Sequence, residues 1–149
     1  WFGVGARTDV SPLDAVYASA ALPVFYPPAR LPGGAYVDGG TAHALPVARA
    51  AELGATGIVA IDVGSGGEVD GGAVADGGLI AVHQRVYSLM VARRRVDEVR
   101  EWSGPPLVYL RPRLDGYGSF DFEHIPYFLD EGARAAKALL EGAEGAPRS

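Results

Sequence analysis

The pattern of apolar and polar residues along the chain predicts helices and strands in alternation. Four segments begin and end at residues typical of helix ends and are interpreted as helices. Three shorter segments are almost continuously apolar and are interpreted as strands. An alternating order of this kind is typical of an α/β fold. The predicted helices cover residues 12–21, 46–53, 79–102 and 126–141, and the predicted strands cover residues 35–37, 57–63 and 107–110.

Capping residues and prolines set the ends of the first helix. Ser11 is a suitable cap, Pro12 fits the first helical position, and Asp14 completes a capping box. The helix is expected to stop near Pro23, and the prolines that follow predict a stiff loop over residues 23–32.

The region after the second helix combines a strand with a glycine-rich stretch. Residues 57–63 are apolar at almost every position, which favours a strand covered on both faces, as in a parallel sheet with flanking helices. Residues 64–78, rich in glycine, are predicted to form a mobile surface loop.

Composition and charge exclude several function classes. The 149-residue chain has a formal net charge of −5, which argues against a nucleic-acid-binding protein with a basic face. The arginines at 93–95 lie beside acidic residues at 97, 98 and 101. This cluster is interpreted as a solvated, salt-bridged helix face, with contact to anionic lipid as the alternative.

Cysteine and histidine give no indication of a metal site. The chain has no cysteine, and its histidines at 43, 83 and 124 lack metal-ligand spacing. We therefore expect neither a metal nor a cofactor. No apolar run reaches the roughly 18 residues of a membrane span. A cytoplasmic or membrane-peripheral location is favoured, with peripheral membrane contact as an expectation.

One of three Asp-Gly-Gly tripeptides stands in an informative context. The copies at 70 and 76 lie within the glycine-rich stretch and are interpreted as turns. Asp38 instead follows a short apolar strand, and reactive groups of α/β proteins gather where strands end. Asp38 is therefore the candidate catalytic residue, and Gly39 and Gly40 are the candidates that shape its turn.

The residues around Asp38 resemble the patatin-like phospholipases, a family of serine acyl hydrolases. The resemblance spans most of the chain and is strongest over residues 15–63. It implies a three-layer α/β/α sandwich with a mostly parallel sheet, of which residues 1–142 are the C-terminal portion and 143–149 a flexible tail. The residues that match the family order are Ser19, Ala21, Pro23, Asp38, Gly39, Gly40 and Pro46.

The resemblance also implies a mechanism. In this family a serine in Gly-x-Ser-x-Gly attacks the acyl ester, and the aspartate is its partner in a dyad without histidine. Asp38 carries over as the base that a weakly nucleophilic hydroxyl needs. The implied substrates are phospholipids, lysophospholipids or other acyl esters.

The chain departs from the family pattern in two ways. None of the seven serines has glycine at both −2 and +2, so the nucleophile is expected on an upstream segment and this chain alone is expected to be inactive. Ala44 stands where many members have a helix-capping asparagine. His43, its neighbour, is expected to substitute partly for that cap or to face solvent. A non-catalytic remnant that binds lipid or protein is the alternative function.

Three further segments carry weaker indications of function. Phe25 and Tyr26 form either an apolar lip that meets the substrate or a loop that faces the core. Ser19, on an alanine-rich helix, is interpreted as a packing residue. Residues 63–67 could form a nucleotide-binding turn, but the glycine-rich stretch continues beyond them instead of opening into a helix, and Asp62 is interpreted as a strand-end residue.

Overall fold

The structure, a computed structural model, describes residues 1–3, 5–64, 70–118 and 121–144, except for the side chains of 143 and 144. The described residues form a mixed α/β protein with a small parallel sheet. In chain order, the elements are α1 (Pro12–Ser19), β1 (Ala29–Leu31), β2 (Gly34–Tyr36), a 3-10 helix (Gly39–Thr41), α2 (Val47–Glu52), β3 (Ile58–Ile61), α3 (Gly71–Asp76), α4 (Gly78–Arg100), β4 (Leu107–Leu110) and α5 (Ile125–Glu144).

The first helix begins as its capping residues predict. The backbone N–H of Asp14 donates to Ser11 Oγ at 3.1 Å, and Pro12 occupies the first turn. The Ser11 hydroxyl also donates to Asp14 Oδ2 at 2.7 Å. These bonds satisfy amide groups that the first helical turn leaves unpaired.

The proline-rich stretch contains a strand that the sequence did not indicate. β1 pairs antiparallel with β2 in a hairpin, with Leu31 opposite Gly34. The prediction of a continuous loop is therefore wrong at Ala29–Leu31, because the prolines flank this strand without interrupting it. As a consequence, Asp38 follows a hairpin strand that is separate from the parallel sheet.

The parallel sheet consists of β3 and β4, with Ile58 opposite Leu107 and Ile61 opposite Leu110. One face packs against helices, and its core comprises Leu45, Val47 and Ala60 with Ile58, Val99, Trp102 and Leu107 around them. On the other face, Val59 is 64% exposed and Ile61 is 54% exposed. The prediction of a strand buried on both faces is therefore wrong within the described part of the chain.

The glycine-rich stretch is helical where it is described after residue 69. Asp70 caps α3, and its Oδ1 accepts a hydrogen bond from Gly72 N at 2.9 Å. The loop prediction is wrong at Gly71–Asp76, because this cap and three helix-compatible residues at 73–75 outweigh the two glycines. Gly78 then turns the chain into α4 with φ of 74°. Residues 65–69 of the predicted loop lie outside the described residues.

The two long helices are confirmed within a few residues. α4 covers 23 residues and α5 covers 20. Gly132 lies inside α5 without ending it, and Ala135, one turn later, is buried. Of the predicted flexible tail, residues 143 and 144 are helical, and residues 145–149 lie outside the described part.

Candidate active site

Asp38 caps the 3-10 helix and is partly buried. Its Oδ1 accepts a hydrogen bond from Gly40 N at 2.6 Å, and its carbonyl oxygen accepts one from Thr41 Oγ1 at 2.9 Å. The hydrogen bond from Gly40 N to the side chain of Asp38 is of the local kind by which aspartate favours turns and helix starts. Among the described residues, no side-chain hydrogen bond to Oδ2 is found. One carboxylate oxygen is therefore fixed, and the other is available to a further group.

A main-chain hydrogen bond joins the two parts of the sequence motif. The backbone N–H of Asp38 donates to the carbonyl of Ala21 at 3.0 Å, and Ala21 is fully buried. The 3-10 helix packs against both α1 and α4. The alanine-rich segment that ends α1 and the Asp-Gly-Gly turn therefore lie side by side.

The two glycines of the turn have different surroundings. A methyl group at Gly40 would lie 2.8 Å from Asp38 Oδ1, closer than a side chain tolerates. A methyl group at Gly39 would meet nothing within 4 Å. The close approach of the carboxylate therefore requires glycine at position 40 and not at position 39.

A strained turn follows Pro23. Val24 has φ of 76°, a conformation that is unusual for a β-branched residue. The backbone N–H groups of Phe25 and Tyr26 both donate to the carbonyl of Leu22. The side chains of Phe25 and Tyr26 are 40% and 46% exposed, so they do not face the core.

His43 contacts α4 and the first residue of the chain. Its Nδ1 lies 3.5 Å from Glu98 Oε1, and its ring lies 5.4 Å from that of Trp1. Glu98 Oε2 also accepts a hydrogen bond from Leu45 N at 2.7 Å. No side chain caps α2, which begins after Pro46. His43 therefore does not replace the missing asparagine cap.

The described serines do not form a dyad with Asp38. Ser11 caps α1, and the Ser88 hydroxyl donates to the carbonyl of Arg85. Ser19 is exposed at the end of α1, so its interpretation as a packing residue is wrong. Ser103 is exposed after the end of α4, and Ser65, Ser119 and Ser149 lie outside the described residues.

A second polar cluster lies at the end of β3. Asp62 is 3% exposed, and its Oδ1 lies 3.1 Å from Arg95 Nε. Its Oδ2 accepts a hydrogen bond from Tyr109 Oη at 2.8 Å, and Gly64 N donates to Oδ1 at 2.9 Å. Burial, with the bond to Asp62 as the second cause, raises the pKa of Tyr109 to about 12. These contacts occupy the Asp62 carboxylate.

The buried ion pair corrects the interpretation of the arginine cluster. Arg93 pairs with Asp97 at 3.0 Å and is exposed, as a solvated face requires. Arg95, two positions later, is buried against Asp62. Successive helical residues point about 100° apart, so three consecutive arginines cannot share one face. The sequence signal for Asp62 is a carboxylate at the end of an apolar strand, whereas its partner Arg95 carries no such signal.

The predicted nucleotide turn is only partly described. Val63 and Gly64 are described, whereas residues 65–67 are not. A side chain at Gly64 would collide with the Arg95 guanidinium. The absence of a side chain at Gly64 therefore leaves space for the Arg95 guanidinium beside Asp62.

An apolar cavity of about 580 Å³ lies where β3 and β4 end against α5. Its lining includes Ile61, Val63, Leu110 and Phe128, and the small residue Gly132 leaves space on α5. Asp38 is not among its lining residues. The cavity and the Asp38 turn are therefore separate features.

The described residues contain neither a metal-binding cluster nor a membrane-spanning helix. No group of three or more histidine, aspartate or glutamate side chains in the described residues is placed to hold a metal ion. None of the described helices combines the length and apolar character that crossing a membrane requires.

Comparison with protein families gives a match for the first third of the chain. Residues 2–51 match the family model of patatin-like phospholipase. The matched segment contains α1, the hairpin, Asp38 and nearly all of α2. The family is one of lipid acyl hydrolases, and the match agrees with the resemblance seen in the sequence over residues 2–51. Residues 2–51 of this chain are therefore similar to the patatin-like phospholipases.

Proposed function

We propose that this chain supplies the aspartate of a Ser-Asp dyad in a patatin-like acyl-ester hydrolase. The observation that supports the proposal most is the geometry of Asp38. Gly40 N fixes one carboxylate oxygen, whereas the other lacks a hydrogen-bond partner in the described part of the chain. A general base needs this combination of fixed orientation and a free acceptor.

The nucleophile of the proposed dyad is a serine on polypeptide outside these 149 residues. Asp38 accepts the proton of the serine hydroxyl as the serine oxygen adds to the acyl carbonyl. The ester bond then breaks, and the proton passes to the leaving alcohol while the acyl group remains on serine. Water next adds with the same carboxylate as base, which releases the acid and restores the serine. An oxyanion hole, also supplied by upstream polypeptide, stabilises both tetrahedral intermediates.

Further features of the chain are compatible with this role. In the proposed domain, residues 1–142 are the C-terminal portion of a three-layer α/β/α sandwich. The exposed face of β3, with Val59 and Ile61, is apolar surface on which upstream elements would pack. Phe25 and Tyr26, which are exposed, form the proposed lip for a lipid acyl chain or other acyl ester.

The proposal is tested by Asp38→Asn in the intact parent protein, with Asp70→Asn as the matched control. Both aspartates begin an Asp-Gly-Gly tripeptide, and both accept a hydrogen bond from the amide two residues ahead. An asparagine oxygen can also accept that bond, so both variants keep the cap. We expect Asp38→Asn to lower ester turnover by about 10²–10⁴-fold, as loss of a general base does, and Asp70→Asn to leave turnover unchanged.

Two results would contradict the proposal. Wild-type turnover in Asp38→Asn would remove Asp38 from the mechanism. A parent protein in which no serine reacts with a fluorophosphonate would instead be a non-catalytic remnant that binds lipid or protein. Matching thermal unfolding of the two variants shows that the comparison concerns chemistry and not stability.

A further inference from the structure

Tyr87, on α4, borders the same turn as Asp38. A methyl group at Gly40 would lie 2.8 Å from Asp38 Oδ1 and 3.9 Å from Tyr87 Oη, so the carboxylate and the phenol flank one backbone position. Tyr87 is partly buried, and α4 packs against the 3-10 helix that contains this glycine. The hydroxyl therefore lies at the α4 side of the candidate site.

The electrostatic relation between the two side chains agrees with this geometry. Burial raises the pKa of Tyr87, and the negative charge of Asp38 raises it further. The phenol consequently stays protonated at neutral pH, and a protonated phenol is a hydrogen-bond donor.

Glu98 is a second residue of α4 that contacts the loop after Asp38. Glu98, three helical turns beyond Tyr87 on α4, lies 3.5 Å from His43 and accepts a hydrogen bond from Leu45 N. Tyr87 and Glu98 are 11 residues apart, a spacing that places them on nearly the same helix face. α4 therefore holds the loop after Asp38 through Glu98 and borders the carboxylate itself through Tyr87.

We propose that Tyr87 is a positioning residue for the Asp38 carboxylate. Gly40 N holds Oδ1 from the main-chain side, and the neutral phenol limits the movement of the carboxylate on the α4 side. The dipole of the hydroxyl also stabilises the ionised carboxylate that a base requires. This inference rests on the proposed function, in which Asp38 is the base.

The first test follows the ring of Tyr87 in the 149-residue chain by NMR titration. If the two groups are neighbours, Asp38→Asn removes a negative charge and lowers the pKa of Tyr87. Asp70→Asn, which changes the same tripeptide elsewhere, leaves the titration of Tyr87 unchanged. Identical titration of Tyr87 in the wild type and in Asp38→Asn would overturn the inference.

The second test separates positioning from packing in the intact parent protein. Tyr87→Phe keeps the ring and removes the hydroxyl, so we expect kcat to fall while KM and thermal stability stay close to wild type. Tyr127→Phe is the control, because its hydroxyl donates to the carbonyl of Arg113 beside α5. Equal kcat in Tyr87→Phe and the wild type would overturn the positioning role.

Failure of the inference can be distinguished from failure of the proposed function. A parent that does not hydrolyse esters overturns the proposed function, and the positioning role fails with it. The ring titration needs no substrate, so it still decides whether Asp38 and Tyr87 are neighbours.

Discussion

At the scale of single residues, the Asp38 turn depends on a close approach that only Gly40 permits. Gly40→Ala would place a methyl group against Asp38 Oδ1 and push the carboxylate away from its amide partner. We expect kcat of the intact parent to fall by about 10²-fold, the scale of loss for a displacement of about 1 Å in an active site.

Gly57→Ala is the control for an added methyl group, because it would meet nothing within 4 Å and lies away from the turn. The measurement is kcat at saturating substrate, with thermal unfolding recorded for each variant. Equal kcat in Gly40→Ala and Gly57→Ala would show that the position of the carboxylate does not matter for activity.

The sequence indicated Asp38 but not the residues that surround it. A strand, an Asp-Gly-Gly tripeptide and a proline-led helix are consecutive in the chain, so local pattern suffices to select Asp38. Tyr87 and Arg95 belong to a distant helix, and their neighbours are decided by how α4 packs. No local pattern in one sequence specifies those tertiary contacts.

At the scale of elements, Glu131 connects α5 to the segment after β4. Its Oε1 accepts a hydrogen bond from Arg113 N at 2.7 Å, and Arg134 donates to both carboxylate oxygens. The bond from Arg134, followed by that from Arg113, lowers the pKa of Glu131 from 4.5 to about 2. The folded state therefore favours the ionised form of this side chain.

This shift predicts a stability loss at acid pH. The contribution of Glu131 is complete above its unfolded pKa of 4.5 and disappears as the pH falls toward about 2. We expect the free energy of unfolding in urea to decrease over this pH range in the wild type. In Glu131→Gln the decrease should be smaller, because the contribution of Glu131 is absent.

Glu141→Gln is the control on the same helix, because Glu141 and its partner Lys137 are exposed and 3.7 Å apart. Exposed pairs contribute little to stability, so this variant is expected to follow the wild type across the same pH range. Identical pH profiles for Glu131→Gln and the wild type would contradict the account of how α5 is attached.

The element pattern was predictable where helix or strand signals are long or sharply bounded. α4, β4 and α5 lie close to their predicted positions because apolar spacing and flanking turns agree there. β1 was missed because prolines flank it on both sides, and α3 was missed because it begins with two glycines. In both cases, hairpin pairing or a cap outweighed the local composition.

At the scale of the whole molecule, the chain leaves much apolar surface exposed. The core residues of the described part are mostly small, and the exposed residues include Val59 and Ile61 on the open face of the sheet. The proposed parent protein would cover this face with upstream elements.

Val59→Thr tests whether the face is covered in the parent. In the 149-residue chain, Val59 is exposed, so we expect the free energy of unfolding to change by no more than about 0.5 kcal/mol. In the intact parent, a hydroxyl placed under packed elements should lower it by about 1–3 kcal/mol.

Val47→Thr is the matched control. Val47 belongs to the buried core, so this substitution should lower the free energy of unfolding of both proteins. The measurement is denaturant unfolding of the chain and of the parent, each with and without the substitution. An equal and small effect of Val59→Thr in both proteins would contradict the covered face.

The central claim is that Asp38 activates a serine carried by other polypeptide. The most direct measurement is the rate at which a fluorophosphonate labels the intact parent protein, with the modified residue identified by peptide mass spectrometry. We predict label on one serine in a Gly-x-Ser-x-Gly sequence outside these 149 residues, with labelling slowed by Asp38→Asn and unaffected by Asp70→Asn. Label on a serine within these residues, or equal rates in the wild type and Asp38→Asn, would contradict the account.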